Sequence, residues 1–169
     1  MTVRAYTATS MTGRTGNDLL LQSLRVEAIL SLHGIEPLDP VAAEGVAPGR
    51  TPLGSTMSDL AGHWRRDKDM IKRAHVLIDL TPLAKSEGVA HEIGLARYCY
   101  WIPVIRIYEP NGASVAHFED DLIVPTLEDA AREIVARWGT WPKRFMWRLR
   151  LYARCAPKHY AIKLRRWFQ

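Results

Sequence analysis

The stretch 74–96, AHVLIDLTPLAKSEGVAHEIGLA, constrains the fold more than any other part of this chain. Val76, Leu77 and Ile78 form a short apolar run between polar residues, the pattern of a buried strand. The run gives out at Asp79-Leu80-Thr81-Pro82, and Pro82 has no N–H with which to continue a central strand. A polar loop follows over 84–88, and then the period changes. Val89, Ile93 and Ala96 recur at helical spacing. Glu92 therefore stands in the first turns of a helix that begins just past the carboxyl end of a strand. In open α/β sheets that crevice is where ligands bind. Gly88 lets a backbone approach a ligand closely, and the new helix N-terminus offers unpaired N–H groups to an anion.

The rest of the chain reads as alternating strands and helices around this unit. Val3 to Ala8 is a first strand, running into a loop rich in hydroxyls and glycine, TSMTGRTG. Asn17 or Asp18 is the expected N-cap of a helix from Leu19 to about Leu32, with Leu20, Leu24, Ala28 and Leu32 sharing a face. Gly34 sits where a left-handed cap is needed. Ile35 to Leu38 is a second strand, closed by Asp39-Pro40. Residues 41–61, with several prolines and glycines, read as a long loop, the kind that serves as a lid in compact domains. A short charged helix spans 64–74. Strands follow at 102–107 and 122–124, separated by a polar loop over 109–121. Thr126 caps a helix that reaches Trp138, with Glu128 and Asp129 in its first turn. Strand, glycine-rich turn, helix, strand is the opening of a parallel sheet. The expected architecture is a three-layer α/β domain over 1–138. Its mostly parallel five-stranded sheet has flavodoxin-like order, and a basic helical extension covers 139–169.

Composition narrows the function classes. A chain of 169 residues with 47% apolar residues suits one folded domain with a sizeable core. No apolar run approaches the roughly 20 residues that span a bilayer. The N-terminus lacks a signal-peptide pattern, and Cys99 and Cys155 are too few for a disulfide framework, so a cytoplasmic protein with free thiols is expected. His, Cys and acidic residues show no metal-ligand spacing, and neither GxGxxG nor GxxxxGK[ST] occurs, so no metal or classical dinucleotide cofactor is expected. The net charge of +5 is uneven. Residues 139–169 hold nine Lys/Arg and no acid, which leaves 14 basic and 18 acidic residues in 1–138, a body of −4.

Four pieces in order carry a resemblance. They are the first strand with its loop (Tyr6, Ser10, Gly13), Arg66-Asp67, Asp79-Leu80-Thr81-Pro82, and Ser86-x-Gly88-x-x-x-Glu92-x-Gly94. Over about residues 3 to 138 the chain resembles the nucleoside 2-deoxyribosyltransferase family, including its nucleoside 5′-monophosphate N-glycosidase branch. The resemblance implies Glu92 as nucleophile, Asp67 as the acid that assists the leaving base, and Tyr6 as the residue that orients the nucleophile. It implies Ser10, Thr12 and Ser86 at the sugar or phosphate end, with Gly13 and Gly88 beside them, and a homo-oligomer in which a neighbour's loop completes the site. There are departures. Where the phosphate branch carries an arginine the chain has Thr12, so Arg14 would have to substitute. The central strand often opens with aspartate, and here it opens with His75. The basic extension is no part of the family core.

The chemistry can be stated from the residues themselves. Breaking an N-glycosidic bond builds positive charge on the sugar, which a carboxylate can stabilise or capture. A proton donor near the base helps it leave. Each residue also has an ordinary alternative: Glu92 as a helix-dipole carboxylate, Asp67 as a surface acid, Tyr6 as a packed strand aromatic. A non-catalytic nucleotide sensor on the same fold stays open, as does an adaptor that acts through its tail. That tail interleaves aromatics with arginines, with Phe145, Leu149 and Tyr152 on one helical face and Pro157 expected to break the helix. It suits nucleic acid, an anionic membrane surface, or docking on an acidic protein body.

Overall fold

The computed structural model describes residues 2–10, 14–44, 57–81, 87–107 and 121–167, with backbone alone for 57–60, 155 and 157–167. Strand β1 (Val3–Ala8) leads through α1 (Gly16–Leu32) to β2 (Ile35–Leu38). Helices α2 (Pro40–Glu44) and α3 (Met57–Arg73) precede β3 (Val76–Asp79). Helix α4 (Glu87–Gly94) runs on into one π-helical turn, Leu95–Cys99. Then come β4 (Val104–Ile107), β5 (Leu122–Val124), α5 (Leu127–Trp138) and α6 (Trp141–Trp167). The sheet order is β2-β1-β3-β4-β5 and every pairing is parallel. This is the expected three-layer α/β fold. The chain turns one way from β1 to β2 and the other way to β3, so the topological switch lies between β1 and β3.

Alternation along the strands sorts the core into two layers. Val3, Ala5, Val76, Ile78 and Ile105 pack against α1 and α5, where Val26, Leu30, Ile134 and Trp138 are buried. Tyr6, Ala8, Leu77 and Val104 point the other way, against Met70 and Ile71 of α3 and Val89 of α4. The pleat therefore decides that Tyr6 faces the helix that carries Glu92.

Several local expectations are corrected. The N-cap of α1 is Thr15, neither Asn17 nor Asp18. The Thr15 hydroxyl accepts from the Asp18 N–H at 3.2 Å while the Asp18 carboxylate reaches back, a capping box. The buried face of α1 is Leu19, Ser23, Val26 and Leu30, whereas Leu24 and Leu32 are 53% and 85% exposed. This helix is apolar nearly all round, so periodicity could not choose its face; packing on β1 and β2 did. Gly34 does adopt the left-handed conformation, φ +69°.

Residues 41–61 are not one loop. Asp39 caps α2 by accepting from the Val41 N–H at 3.0 Å, and Pro40 takes the first helical position, where its missing N–H costs nothing. Helix α3 already begins at Met57, and only 45–56 lie outside the described residues. Helix α6 passes through Pro157 without ending. A proline there forfeits one helical hydrogen bond, and a helix of 27 residues absorbs that loss.

Candidate functional site

Three elements deliver three oxygens to one place. Tyr6 comes from the middle of β1, Asp67 from the third turn of α3 and Glu92 from the second turn of α4. The Tyr6 hydroxyl, Asp67 Oδ1 and Glu92 Oε2 are all buried and have no hydrogen-bond partner. Buried polar groups almost always find partners, so three orphans in mutual electrostatic reach need a reason. The phenol faces Glu92 closely enough to lower that carboxyl's proton affinity, but the contact stops short of a full hydrogen bond.

The electrostatics follow from burial and crowding. Burial pushes the Glu92 carboxyl up to about 8; the Tyr6 phenol works against that, and the nearby Asp67, Asp79 and Glu44 add to it. Burial likewise raises Asp67 to about 6, with Arg66 opposing and Glu44 reinforcing. The phenol of Tyr6 is driven far above its ordinary range by burial and by Glu92 and Asp67, so it remains a neutral donor at any physiological pH. The Asp67 carboxylate adds to the rise of Glu92, so the two sites titrate with reference to each other.

Around this trio lie residues the sequence did not single out for the site. Glu44, at the end of α2, accepts from His63 Nδ1 at 2.7 Å and from Arg66 Nη2 at 2.9 Å. Asp79, at the carboxyl end of β3, is almost wholly buried; its Oδ2 lies 2.6 Å from Arg106 Nη2 and its Oδ1 accepts from the Thr81 N–H at 2.9 Å. The available signal was position: Asp39 and Asp79 sit at or just past strand ends on the carboxyl edge of the sheet, and Glu44 closes the short helix that Asp39 caps. Helix α2, hidden in what reads as a loop, obscured Glu44.

The remaining candidates fall as follows. Ser10 is buried just past β1. Gly88 is the second residue of α4. Arg14 turns toward α1, where its guanidinium bonds the Gln22 side-chain oxygen and donates to the Asp18 carbonyl at 3.4 Å. There it helps line a cavity of about 520 Å³ with Gln22, Arg25, Leu80, Ile107 and Thr126. That cavity lies on the α1/α5 face of the same sheet edge and does not include Tyr6, Asp67 or Glu92. Thr12, Gly13 and Ser86 lie outside the described residues.

No protein-family model matches the chain, and no curated protein matches it by sequence. Solved structures do match. A 2-deoxyribosyltransferase from the psychrotolerant bacterium Bacillus psychrosaccharolyticus is similar over 76% of this chain and 90% of its own, at 17% identity and a TM-score of 0.59. A conserved protein from Enterococcus faecalis V583 is similar over 81% and 99%, at 23% identity and a TM-score of 0.55. A CMP N-glycosidase from Clostridium botulinum overlaps more loosely, over 79% and 98%, at 14% identity and a TM-score of 0.46. In fold, the chain is similar to that 2-deoxyribosyltransferase and to the Enterococcus faecalis protein.

Proposed function

We propose that this protein cleaves, or transfers at, the N-glycosidic bond of a (deoxy)nucleoside or its 5′-monophosphate, with Glu92 as nucleophile. The observation that carries the reading is the trio of buried, unpartnered oxygens at the carboxyl edge of the sheet, beside the β1/β3 switch point. The likeness to a structure named as a 2-deoxyribosyltransferase supports it.

Between about pH 6 and 8 the Glu92–Asp67 pair holds one proton. In the free protein that proton rests mainly on Glu92, the more basic of the two. Positive charge growing on the sugar favours the alternative form, with the anion at Glu92 and the proton at Asp67. The Glu92 carboxylate then bonds to the anomeric carbon as the C–N bond breaks. The base leaves with the bonding pair and takes the proton from Asp67. Water, or a second base, next attacks the anomeric carbon and displaces Glu92, and the Asp67 carboxylate accepts the proton the attacker sheds. Tyr6, always protonated, holds the nucleophilic carboxylate in line. Ser10, Thr12, Gly13, Ser86 and Gly88 belong to the sugar or phosphate end in this reading, Arg14 joins them only by leaving the Gln22 side chain, and no cofactor takes part.

The test is a panel of nucleosides and nucleoside 5′-monophosphates, followed chromatographically for free base, on wild type and Glu92→Gln. Base release by wild type alone is the expected result. Equal release by both removes Glu92 as nucleophile, and tight binding without release makes the protein a nucleotide sensor. The homo-oligomer belongs to the same proposal, supported by the exposed Leu21, Leu24 and Leu32 of α1; light scattering at the monomer mass would refute it.

A further inference from the structure

Helix α6 has two faces with different fates. One face docks on the protein's own body at the amino edge of the sheet. Leu151 and Arg144 are buried there, and Trp147 meets Trp138 edge-on at 5.4 Å between ring centroids. Arg144 donates to the Trp138 carbonyl at 3.2 Å and Arg148 to the Ala74 carbonyl at 3.3 Å. Arg154 reaches the buried Asp121 at 3.8 Å. The other face is apolar and points outward except at Tyr152, whose ring meets Trp101 of the body edge-on at 4.9 Å between centroids. Trp141, Phe145, Leu149 and Tyr152 fall within an arc of roughly 80° at 100° per residue. Trp141 and Phe145 are 59% and 47% exposed, Leu149 and Tyr152 are exposed with them, and Met146 widens the strip. The Trp141 and Phe145 rings are stacked on each other 5.3 Å apart, a preformed aromatic platform.

Charge says what covers this strip. Lys143, Arg150 and Arg154 are exposed on one flank, beyond Met146, and Arg148 lies on the other; Lys143 also donates to the Ala136 carbonyl at 2.7 Å, and Arg148 and Arg154 keep the body contacts given above, which leaves Arg150 the most outward of the four. Residues 139–169 carry nine cations and no acid. An outward apolar strip with tryptophan and phenylalanine, flanked by cations and free of acids, is the pattern of a helix lying in the plane of an anionic lipid surface. The aromatics enter the acyl boundary and the flanking cations meet the headgroups. A nucleic-acid surface calls for the opposite layout, with cations at the centre of the contact. We infer that α6 holds this protein on anionic lipid membranes through Trp141, Phe145, Met146 and Leu149. No helix among the described residues is long and apolar enough to cross a membrane, so the association is peripheral. Because α6 sits at the amino edge of the sheet, the carboxyl edge with Glu92 faces away from the lipid.

The experiment is flotation of the full chain with vesicles of phosphatidylcholine alone or mixed with phosphatidylglycerol. The variants are Phe145→Glu/Leu149→Glu and Phe145→Ser, with melting curves as the check on folding. Wild type partitions onto the anionic vesicles at least about tenfold better than onto neutral ones, and the double variant loses about tenfold or more. Tryptophan emission shifts to the blue on binding and does so less in Trp141→Leu. Phe145→Ser, the milder change, shows a smaller loss in the same direction and decides the matter if the double variant does not fold. Four outcomes overturn the inference. One is no flotation with anionic vesicles. A second is binding that survives the variants but vanishes as salt rises from about 0.1 M to 1 M, which is charge alone. A third is loss of a dimer in light scattering as the sole effect of the variants, which gives the strip to a second copy. The fourth is loss of single-stranded DNA binding with no vesicle binding in wild type.

Discussion

The two edges of the sheet crowd opposite charges, and they treat them differently. At the carboxyl edge Glu92 and Asp67 sit among Glu44 and Asp79, and burial plus like charge drives both carboxyls upward. At the amino edge His75 sits among Arg4, Arg144 and Arg148, and burial plus like charge drives the imidazole down to about 4 and the Arg148 guanidinium below its usual range. Both edges accept an electrostatic cost. The amino edge gives its charged groups partners, while the indole N–H groups of Trp138 and Trp147 there have none. The His75 Nδ1 accepts from the Arg4 N–H at 3.0 Å, and the arginines of α6 bond backbone carbonyls. The carboxyl edge leaves the oxygens of its ionisable trio, Tyr6, Asp67 and Glu92, unpartnered, with Thr81 Oγ1 beside them. Crowded charge with its hydrogen bonds made is a clamp that fixes α6; crowded charge with its bonds unmade is a site waiting for something to bond.

That contrast can be broken most sharply at the nucleophile. Glu92→Gln keeps the shape of the site and removes the anion, and base release falls by at least about 10³-fold. A variant that retains wild-type turnover ends the assignment. The amino edge is tested by Asp121→Ala, which strips the buried Arg97 of the carboxylate that sits 3.2 Å from it. Removing one partner of a buried pair costs about 3 kcal/mol, read as a lower urea midpoint with turnover per folded molecule unchanged. An unchanged midpoint would mean the clamp does not hold the body together.

Asp67→Asn lowers turnover by about 10²-fold and changes the pH profile. Wild type has a bell with limbs near 6 and 8, because below the first both carboxyls are protonated and above the second neither is. With Asp67 gone a single ionisation remains, so the variant's rate rises to a plateau and does not fall at high pH. A bell in the variant would assign the second limb elsewhere.

The smallest effects are linkage terms with opposite signs at the two edges. From about pH 4.5 to 8 folded Glu92 holds a proton that the unfolded chain has released, so this edge loses stability as pH rises. Glu92→Gln therefore gains melting temperature over wild type at pH 8 and little at pH 5. As pH falls from about 6.5 to 4 the unfolded chain protonates His75 and the folded one does not, so that edge loses stability as pH falls. His75→Gln, which can still accept from Arg4, flattens the acid limb of the melting profile. The same slope in both variants would dissolve the contrast.

How much was legible differs between fold and site. The strands were readable because short β-prone runs end at Gly, Asp and Pro, and the order of strands and helices then leaves few topologies. Thr126 was readable as a cap because Asp129 follows at the right spacing. Thr15 was missed because Asn17 and Asp18 compete for the same role by composition. Glu44 was missed because a five-residue helix leaves no period to detect.

By itself the sequence determined the alternation of strand and helix, the parallel sheet and the placing of Glu92 past a strand end. It also determined the split between an acidic body and a basic tail. These are local patterns, decided within a few residues of chain. Only the tertiary structure decided which face of α1 and of α6 is buried, and that Tyr6, Asp67 and Glu92 meet with their oxygens unpaired. Which faces meet depends on how distant segments pack against one sheet, and a carboxyl's proton affinity depends on the burial and charges that packing creates.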